Sequence, residues 1–260
     1  MKATLTVLGS GTSVGVPTIG CDCAVCHSAD PRDRRSRPSI LVEYAGYAVL
    51  IDTTPDFREQ AIRERIRKLD AVLYTHTHAD HLLGIDDLRP LSYLHRPGKL
   101  PLYARREAVE FIRAMFGYIF APSYKFGGLP QLELIEITGP LNLFGAEFQP
   151  ITVIHGETEI LGFRFGSAAY LTDHSEIPEE SMAQLRNLDV LFLDALRRQP
   201  HPTHSTVENS LRIVEKLQPK RAFFTHICHD LPHAGTNSSF PENVRLSYDG
   251  MKLDFEIRED

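Results

Sequence analysis

The sequence predicts a layered α/β domain whose functional site lies on loops at one edge of its sheets. Three observations support this fold class. Apolar, β-branched runs recur along the chain, stretches of helical periodicity separate the later runs, and polar residues cluster where the runs end. The chain has 260 residues, of which 42% are hydrophobic and 24% are charged. This composition suits a single domain spanning residues 1–260 with a substantial core.

The apolar runs are predicted as strands, because each is rich in β-branched residues and ends at a turn or a polar residue. In chain order they are ATLTVLG, ILVEYAGYAVLID, AVLYTH, LELIEI, FQPITVIH, RFGSAAYLTD, VLFLDAL and RAFFTHI. Helices are predicted at residues 56–68, 107–120, 178–187 and 206–217. The last is the best defined, since Ser205 or Thr206 can cap it and Pro219 ends it.

Charge and hydropathy narrow the range of partners. The net charge of −6 and the pI near 6.1 do not favour a nucleic-acid partner or an anionic membrane surface. No apolar run approaches the length of a membrane span. The first residues, MKATLTVLGSGTS, are typical of a first strand rather than of a signal peptide. We therefore expect a cytoplasmic protein with reduced cysteines and no membrane partner.

The strongest chemical pattern is the run HTHADH, which directly follows an apolar strand. In an extended chain His76 and His78 point to the same side, so both imidazoles can bind one ion. Asp80 and His81 follow after the chain turns, towards a second position. Four ligand-type residues in six positions predict a metal site. Histidine and aspartate ligands without a thiolate suit zinc or manganese.

This run resembles the signature of the metallo-β-lactamase superfamily, whose fold is an αββα sandwich with a two-metal site at the edge of its sheets. The rest of the pattern follows in order at strand ends, at His155, Asp173 and His226. The resemblance implies two divalent metals, Zn or Mn, with Asp173 bridging both. It assigns the other ligands as His76, His78 and His155 for one ion and Asp80, His81 and His226 for the second.

Such a ligand set implies a particular chemistry. Two divalent ions outweigh two carboxylates and one bridging hydroxide, which leaves a net positive pocket. A site of this kind lowers the pKa of its water and clamps both the attacking and the leaving oxygen of a displacement. The positive pocket favours a phosphate ester over a neutral substrate. Asp80 could accept a proton as well as bind metal.

Within the superfamily, the chain most resembles the PhnP-like phosphodiesterases of phosphonate catabolism. The resemblance rests on the LGSGTSVGVP loop, the C-D-C-x-x-C cluster, HTHADH, and T-H-x-x-H near the end of the sequence. It implies hydrolysis of a small or cyclic phosphodiester by the metal-bridging hydroxide. A loop histidine stands near the metals in this family, which implies His204, or alternatively His201, as the group that assists the leaving oxygen. Relatives dimerise, so a homodimer stays open.

The segment GCDCAVCH holds three of the four cysteines. A reducing compartment disfavours a disulfide, and no thioredoxin-like context supports a redox pair. In the PhnP-like group a structural zinc occupies this place, in a closed tetrahedral Cys3His site. His27 is an alternative fourth ligand, and Cys228 is predicted to be a buried free thiol. The zinc ligands that the resemblance implies are Cys21, Cys23, Cys26 and His229.

Two nearby loops are predicted to have structural roles only. Residues 31–38 (PRDRRSRP) are predicted as a solvated basic loop flanked by prolines. The loop from Gly9 to Gly15 misses the G-x-G-x-x-G spacing by one residue, and no helix follows it. We therefore expect a tight turn near the metal site rather than a dinucleotide cradle.

Two other functions stay open. A tRNA 3′-processing endonuclease shares the N-terminal loop and the metal ligands, but it needs a basic arm to hold tRNA, and the acidic balance speaks against it. A PqqB-like protein of quinone-cofactor biosynthesis carries the same cysteine cluster. Its metal content, one ion rather than a complete two-metal site, would distinguish it.

Overall fold

The computed structural model describes residues 1–95, 97–121 and 128–257. Two seven-stranded sheets pack face to face, and helices cover both outer faces. In chain order the strands are β1 (Lys2–Gly9), β2 (Ser39–Tyr44), β3 (Tyr47–Ile51), β4 (Ala71–Leu73), β5 (Leu100–Ala104), β6 (Leu132–Glu136), β7 (Leu141–Leu143), β8 (Ala146–His155), β9 (Thr158–Phe165), β10 (Ala168–Leu171), β11 (Val190–Asp194), β12 (Arg221–Thr225), β13 (Val244–Leu246) and β14 (Lys252–Glu256).

The α-helices are α1 (Phe57–Arg63), α2 (Ala79–Leu82), α3 (Arg89–Leu94), α4 (Arg106–Met115), α5 (Gly117–Phe120), α6 (Glu179–Ala183), α7 (Val207–Leu217) and α8 (His233–Asn237). Two short 3₁₀ helices span Pro31–Asp33 and Ile85–Leu88. In the described part of the chain, no helix is both long enough and apolar enough to cross a membrane.

The strand order explains why one edge of the sandwich collects the polar loops. The first sheet runs β14-β1-β2-β3-β4-β5-β6 and the second β13-β12-β11-β10-β9-β8-β7. Strands β3 to β6 are parallel neighbours, and so are β10 to β13. Because parallel strands end at the same edge of a sheet, the loops that follow β3, β4, β10, β11 and β12 meet there.

The main core lies between the sheets. Aromatic side chains fill much of it: Phe148 packs on Phe165 with ring centroids 5.4 Å apart, and Phe192 stacks on Phe223 at 5.3 Å. Two further apolar clusters pack the helices onto the outer faces, one on each sheet. The layers therefore follow the order helix, sheet, sheet, helix, which confirms the αββα sandwich.

The predicted elements mostly coincide with observed ones. The run ILVEYAGYAVLID forms the hairpin of β2 and β3, with Ala45 and Gly46 at φ of 48° and 82° in its two-residue turn. Helix α7 begins after Thr206, whose hydroxyl accepts a hydrogen bond from the Asn209 amide at 3.1 Å. Three predicted helices are shorter or divided, and the run RFGSAAYLTD covers only the end of β9. Strands β5, β7, β13 and β14 were missed. These strands lie near the sheet edges and are short, so their hydrophobic patterns are weak.

The basic loop at residues 31–38 differs from its prediction. The side chain of Arg35 is 0% exposed and that of Asp33 is 6% exposed, and the two form an ion pair at 2.9 Å. Arg34, between them, is exposed, as expected for a solvated loop. The composition predicts a charged surface segment, but the Arg35 side chain points inward and donates to the buried carbonyl oxygens of Cys228 and Leu231.

Candidate active site

The HTHADH run lies at the edge where the parallel strands end. His76 and His78 follow β4, and His78 is the N-terminal cap residue of α2. Asp80 and His81 belong to α2 itself and are buried. The chain thus turns between the two pairs of side chains, as predicted, and directs them to neighbouring positions.

A first cluster contains His76, His78 and His155, whose ligand atoms all lie within 4.8 Å of one another. His155 is the last residue of β8. Its Nδ1 atom donates to the Thr203 carbonyl oxygen at 2.8 Å, which leaves Nε2 free for a metal. His76 and His155 are buried and His78 is exposed, so this cluster opens towards solvent at His78.

A second cluster lies against the first, and all of its members are buried. Asp173, which follows β10, stands between the two. One of its oxygens is 3.2 Å from His81 Nε2, and the other is 3.3 Å from His226 Nε2 and 3.9 Å from His76 Nε2. This is the position that a bridging carboxylate requires. The members, with ligand atoms within 4.8 Å of one another, are Asp80, His81, Asp173 and His226.

The donor set fits divalent ions. Burial opposes ionisation of Asp173, but the His226 and His81 imidazoles hold the pKa of its carboxyl well below the ordinary value. Burial also lowers the pKa of His76 well below its ordinary value, which favours the neutral ring that a metal needs. The Nε2 atoms of His76 and His81 are buried and have no hydrogen-bond partner among the described residues. Metal ions would supply those partners.

Asp52, which sequence reasoning missed, holds His81 from behind. It follows β3, is fully buried, and places Oδ2 2.7 Å from His81 Nδ1. It also accepts hydrogen bonds from the backbone amide and the hydroxyl of Thr75, both at 2.8 Å. A carboxylate in this position makes Nδ1 the donor and leaves Nε2 for the metal. The only sign in the sequence was an aspartate at the end of the strand run AVLID.

His204 lies beside the second cluster, in the loop between β11 and α7. Its ring stacks on His226 with centroids 4.6 Å apart and planes 14° from parallel. Its Nδ1 atom is 2.6 Å from an oxygen of Asp194, a fully buried residue at the end of β11. Burial lowers the pKa of His204 to about 4 and raises that of Asp194 well above its usual value. The buried carboxyl and imidazole are therefore joined by a short hydrogen bond through Nδ1, which leaves Nε2 facing away from Asp194.

His201, the alternative leaving-group residue, lies farther out. Its ring centroid is 5.0 Å from that of His204. It is partly exposed and belongs to none of the ligand clusters among the described residues. Its Nδ1 atom accepts from the Thr203 hydroxyl at 3.2 Å. The geometry favours His204 over His201 for contact with the metal centre, while the role itself stays a prediction.

The cysteine cluster gathers around His229. The distances from His229 Nδ1 to the sulfurs are 3.1 Å for Cys21, 3.4 Å for Cys23 and 3.6 Å for Cys26. Tetrahedral zinc with ordinary bond lengths separates nitrogen and sulfur ligands by roughly 3.5 Å. The predicted Cys3His set is thus brought together at suitable spacing. The alternative ligand, His27, instead pairs with Asp22 at 3.2 Å on the surface.

The sulfurs of the cluster differ in acidity. A backbone hydrogen bond from Cys26 lowers the pKa of the Cys23 thiol to about 6, while burial raises that of Cys26. Cys23 is therefore more readily ionised for metal binding than Cys26. Cys228 is buried and free, as predicted, and burial raises its pKa to about 12.

The glycine loop packs directly against the segment that carries His226. Gly11 forms a β-bridge with Ile227, and the Thr12 amide donates to the Ile227 carbonyl at 3.2 Å. A Cβ atom on Gly9 would lie 1.8 Å from the Arg37 carbonyl oxygen, and one on Gly11 would lie 2.7 Å from that of Arg35. Close backbone packing therefore requires these glycines, which agrees with the predicted tight turn.

Known proteins resemble this chain in sequence and structure. A family profile described as "Beta-lactamase superfamily domain" matches residues 47–227. A crystal structure of a new diphosphatase from the PhnP family is 59% identical and superposes with a TM-score of 0.94, covering 99% of this chain and 98% of that chain.

Two curated relatives resemble the chain more distantly. An octanoyltransferase of Porphyromonas gingivalis is 38% identical over 95% of this chain and 50% of its own length. A ribonuclease Z of Bradyrhizobium diazoefficiens is 31% identical over 54% of this chain and 47% of its own length. The chain thus spans about half the length of these curated relatives.

Proposed function

The chain belongs to the metallo-β-lactamase superfamily and, within it, to the PhnP family, and we propose that it is a two-metal hydrolase of small or cyclic phosphodiesters. The observation that carries this proposal is the juxtaposition of the two ligand clusters, with Asp173 between them at one edge of the sandwich. When bound, two divalent ions would supply Lewis acidity and a nucleophilic water of lowered pKa. We propose zinc or manganese for these positions and zinc for the Cys3His cluster.

The chain's own residues account for the rest of the chemistry. Asp52 orients His81, and the Thr203 carbonyl orients His155, so that both rings face the centre. His204 lies beside His226 and can donate a proton from Nε2 to the oxygen that leaves phosphorus. Asp194 holds that imidazole in place and compensates the charge when the ring is protonated.

A diphosphate linkage is a second candidate substrate. The 59% identical neighbour is a diphosphatase. A P–O–P linkage presents the same disubstituted phosphorus as a phosphodiester, and the same in-line displacement would cleave it. Cleavage of a diphosphate releases a phosphate, whereas cleavage of a phosphodiester releases an alcohol. A panel that contains both kinds of substrate therefore distinguishes the two activities.

Acyl transfer, tRNA processing and a PqqB-like role fit this structure less well. An acyl transfer by covalent catalysis would need an accessible, activated nucleophile. Among the cysteines, Cys228 is buried with a raised pKa, and the other three surround His229. A tRNA substrate would require a cationic surface, whereas the formal net charge is −6. A PqqB-like role needs no second metal position, and here two clusters lie side by side.

The test is a hydrolysis assay on full-length protein reconstituted with Zn²⁺ or Mn²⁺, with metal content measured in parallel. The panel contains bis-p-nitrophenyl phosphate, a 2′,3′-cyclic nucleotide, a dinucleoside diphosphate and a precursor tRNA. We expect metal-dependent cleavage of at least one small substrate and none of the tRNA. Fully loaded protein that cleaves no small substrate would contradict the proposal, and cleavage of the tRNA alone would favour the ribonuclease.

A further inference from the structure

Arg35 is buried beneath the segment from His226 to Leu231, which connects the second ligand cluster to the Cys3His cluster. Its Nη1 atom donates to the Cys228 carbonyl oxygen at 2.7 Å, and its Nη2 atom donates to that of Leu231 at 2.6 Å. Nη2 also contacts Asp33 Oδ1 at 2.9 Å, so the buried charge is paired. The two Nη atoms thus hold the backbone at Cys228 and Leu231, while Nε donates to the Arg32 carbonyl at 3.4 Å.

The two carbonyls flank His229, the nitrogen ligand of the Cys3His cluster. Two residues before Cys228 the same segment carries His226, which belongs to the second catalytic cluster. Asp33 extends the contact, because the carboxylate oxygen that pairs with Arg35 also accepts from the His233 amide at 2.7 Å. The buried ion pair therefore holds the backbone around both ligands without using either ligand side chain.

The backbone of Arg35 joins a third segment to this arrangement. Its amide and carbonyl each pair with Val16 at 2.8 Å, just before the cysteine loop begins. Gly11 packs so closely that an added Cβ would lie 2.9 Å from the Arg35 Cβ. The glycine loop, the start of the cysteine loop and the segment from His226 to Leu231 thus converge on one residue.

We propose that Arg35 is a positioning residue that holds the segment from His226 to Leu231 independently of zinc. It thereby sets the geometry of the second ligand cluster and of the Cys3His cluster. The inference rests on the proposed function in that it takes both clusters as metal sites. An arginine is needed because two carbonyl oxygens and a carboxylate match the planar fork of a guanidinium, which a lysine ammonium cannot reproduce. Arg35 acts through His226 and His229 and contacts no substrate.

The test compares Arg35→Met and Arg35→Lys with Arg34→Met, a matched control at the exposed neighbour. Zinc release from purified full-length protein to a chromophoric chelator is followed together with kcat and KM. We expect Arg35→Met to release zinc about tenfold faster and to lower kcat by about tenfold at nearly unchanged KM. Arg35→Lys should fall between Arg35→Met and the wild type, and Arg34→Met should match the wild type.

Arg35→Met leaves Asp33 buried without its partner and can fail to fold for that reason alone. The double variant Asp33→Asn/Arg35→Met removes both charges, and far-UV circular dichroism identifies the folded variants. A folded double variant with faster zinc release supports the proposal. Folded variants with wild-type zinc release and kcat would overturn it, as would wild-type protein that retains no zinc. Zinc release needs no substrate, so an inactive wild type would defeat the proposed function but leave this result readable.

Discussion

Asp194 and His204 form a buried hydrogen-bonded pair, 2.6 Å between the carboxylate oxygen and Nδ1, directly beside the second ligand cluster. The carboxylate comes from the end of a central parallel strand, and the histidine comes from the loop that follows it. A strand end is a rigid support, so the imidazole is held at a defined place relative to His226. We propose that proton transfer to the leaving group takes place at this pair.

We expect His204→Ala to lower kcat by roughly 10²-fold or more on a substrate with an alcohol leaving group. The loss should be smaller on bis-p-nitrophenyl phosphate, because p-nitrophenolate leaves without a proton. Asp194→Asn should also lower kcat more on the substrate with an alcohol leaving group than on bis-p-nitrophenyl phosphate. Both losses should be smaller than those in His204→Ala. Steady-state kinetics at equal metal content measures both effects.

Asp189→Asn is the control for this pair, since Asp189 lies just before β11, at the opposite end of the strand from Asp194, and pairs with Lys220 at 2.6 Å. It should leave kcat unchanged. Equal losses on both leaving groups in His204→Ala would argue against proton donation and for a structural role.

Asp52→Asn should weaken metal binding at the second cluster by about 10- to 100-fold, because His81 loses the carboxylate that orients it. Metal titration followed by calorimetry gives the affinities. Asp70→Asn is the matched control: Asp70 is also buried at a strand end and accepts from the Ala48 amide at 2.8 Å, but it lies at the start of β4, away from the site. A similar loss of affinity in both variants would mean that Asp52 acts only on stability.

Thiol alkylation should separate the four cysteines. In zinc-loaded protein at pH 8 we expect iodoacetamide to modify none of them rapidly. After zinc is removed, the partly exposed Cys21 and Cys23 should react faster than the buried Cys26. Cys228 should not react, since burial raises its pKa to about 12 and covers the sulfur. Mass spectrometry of intact and digested protein counts the adducts. Rapid modification of Cys23 in loaded protein would contradict the zinc site.

Gly9→Ala should destabilise the fold by roughly 1–3 kcal/mol, because the new methyl group would meet the Arg37 carbonyl and the backbone must shift. Gly235→Ala offers a control of opposite sign: Gly235 lies in α8, and the nearest atom to an added Cβ is 3.7 Å away. It should be neutral or stabilising by up to about 1 kcal/mol. Thermal melts measure both, at about 2–4 °C per kcal/mol for a chain of this size.

The candidate ligands were predictable because their residue types and positions are both unusual. HTHADH after an apolar run is rare, and each distant ligand stands where a predicted strand ends, as His155 and Asp173 do. Parallel strands that end at one edge then bring the side chains together. The cysteine cluster was recognisable for the same reason, and His229 was found only through the family resemblance.

The supporting residues could not be predicted, because each gains its role from a partner distant in sequence. Asp52 is separated from His81 by 29 positions, and Arg35 from Cys228 by 193. Strand-end aspartates and basic loops are common, and nothing local distinguishes Asp194 from Asp189 or Arg35 from Arg34. Which of them is buried depends on the packing of the two sheets and their loops.

If Arg35 braces the segment that carries His226 and His229, as we propose, the occupancies of the two proposed metal centres are linked. If zinc bound at the cysteines raises the affinity of the other centre by some factor, ions at that centre must raise the affinity for zinc by the same factor. A cell short of zinc would then lose hydrolytic capacity even with manganese in excess. Metal binding would then be cooperative between a site with histidine and aspartate ligands and a site with cysteine and histidine ligands.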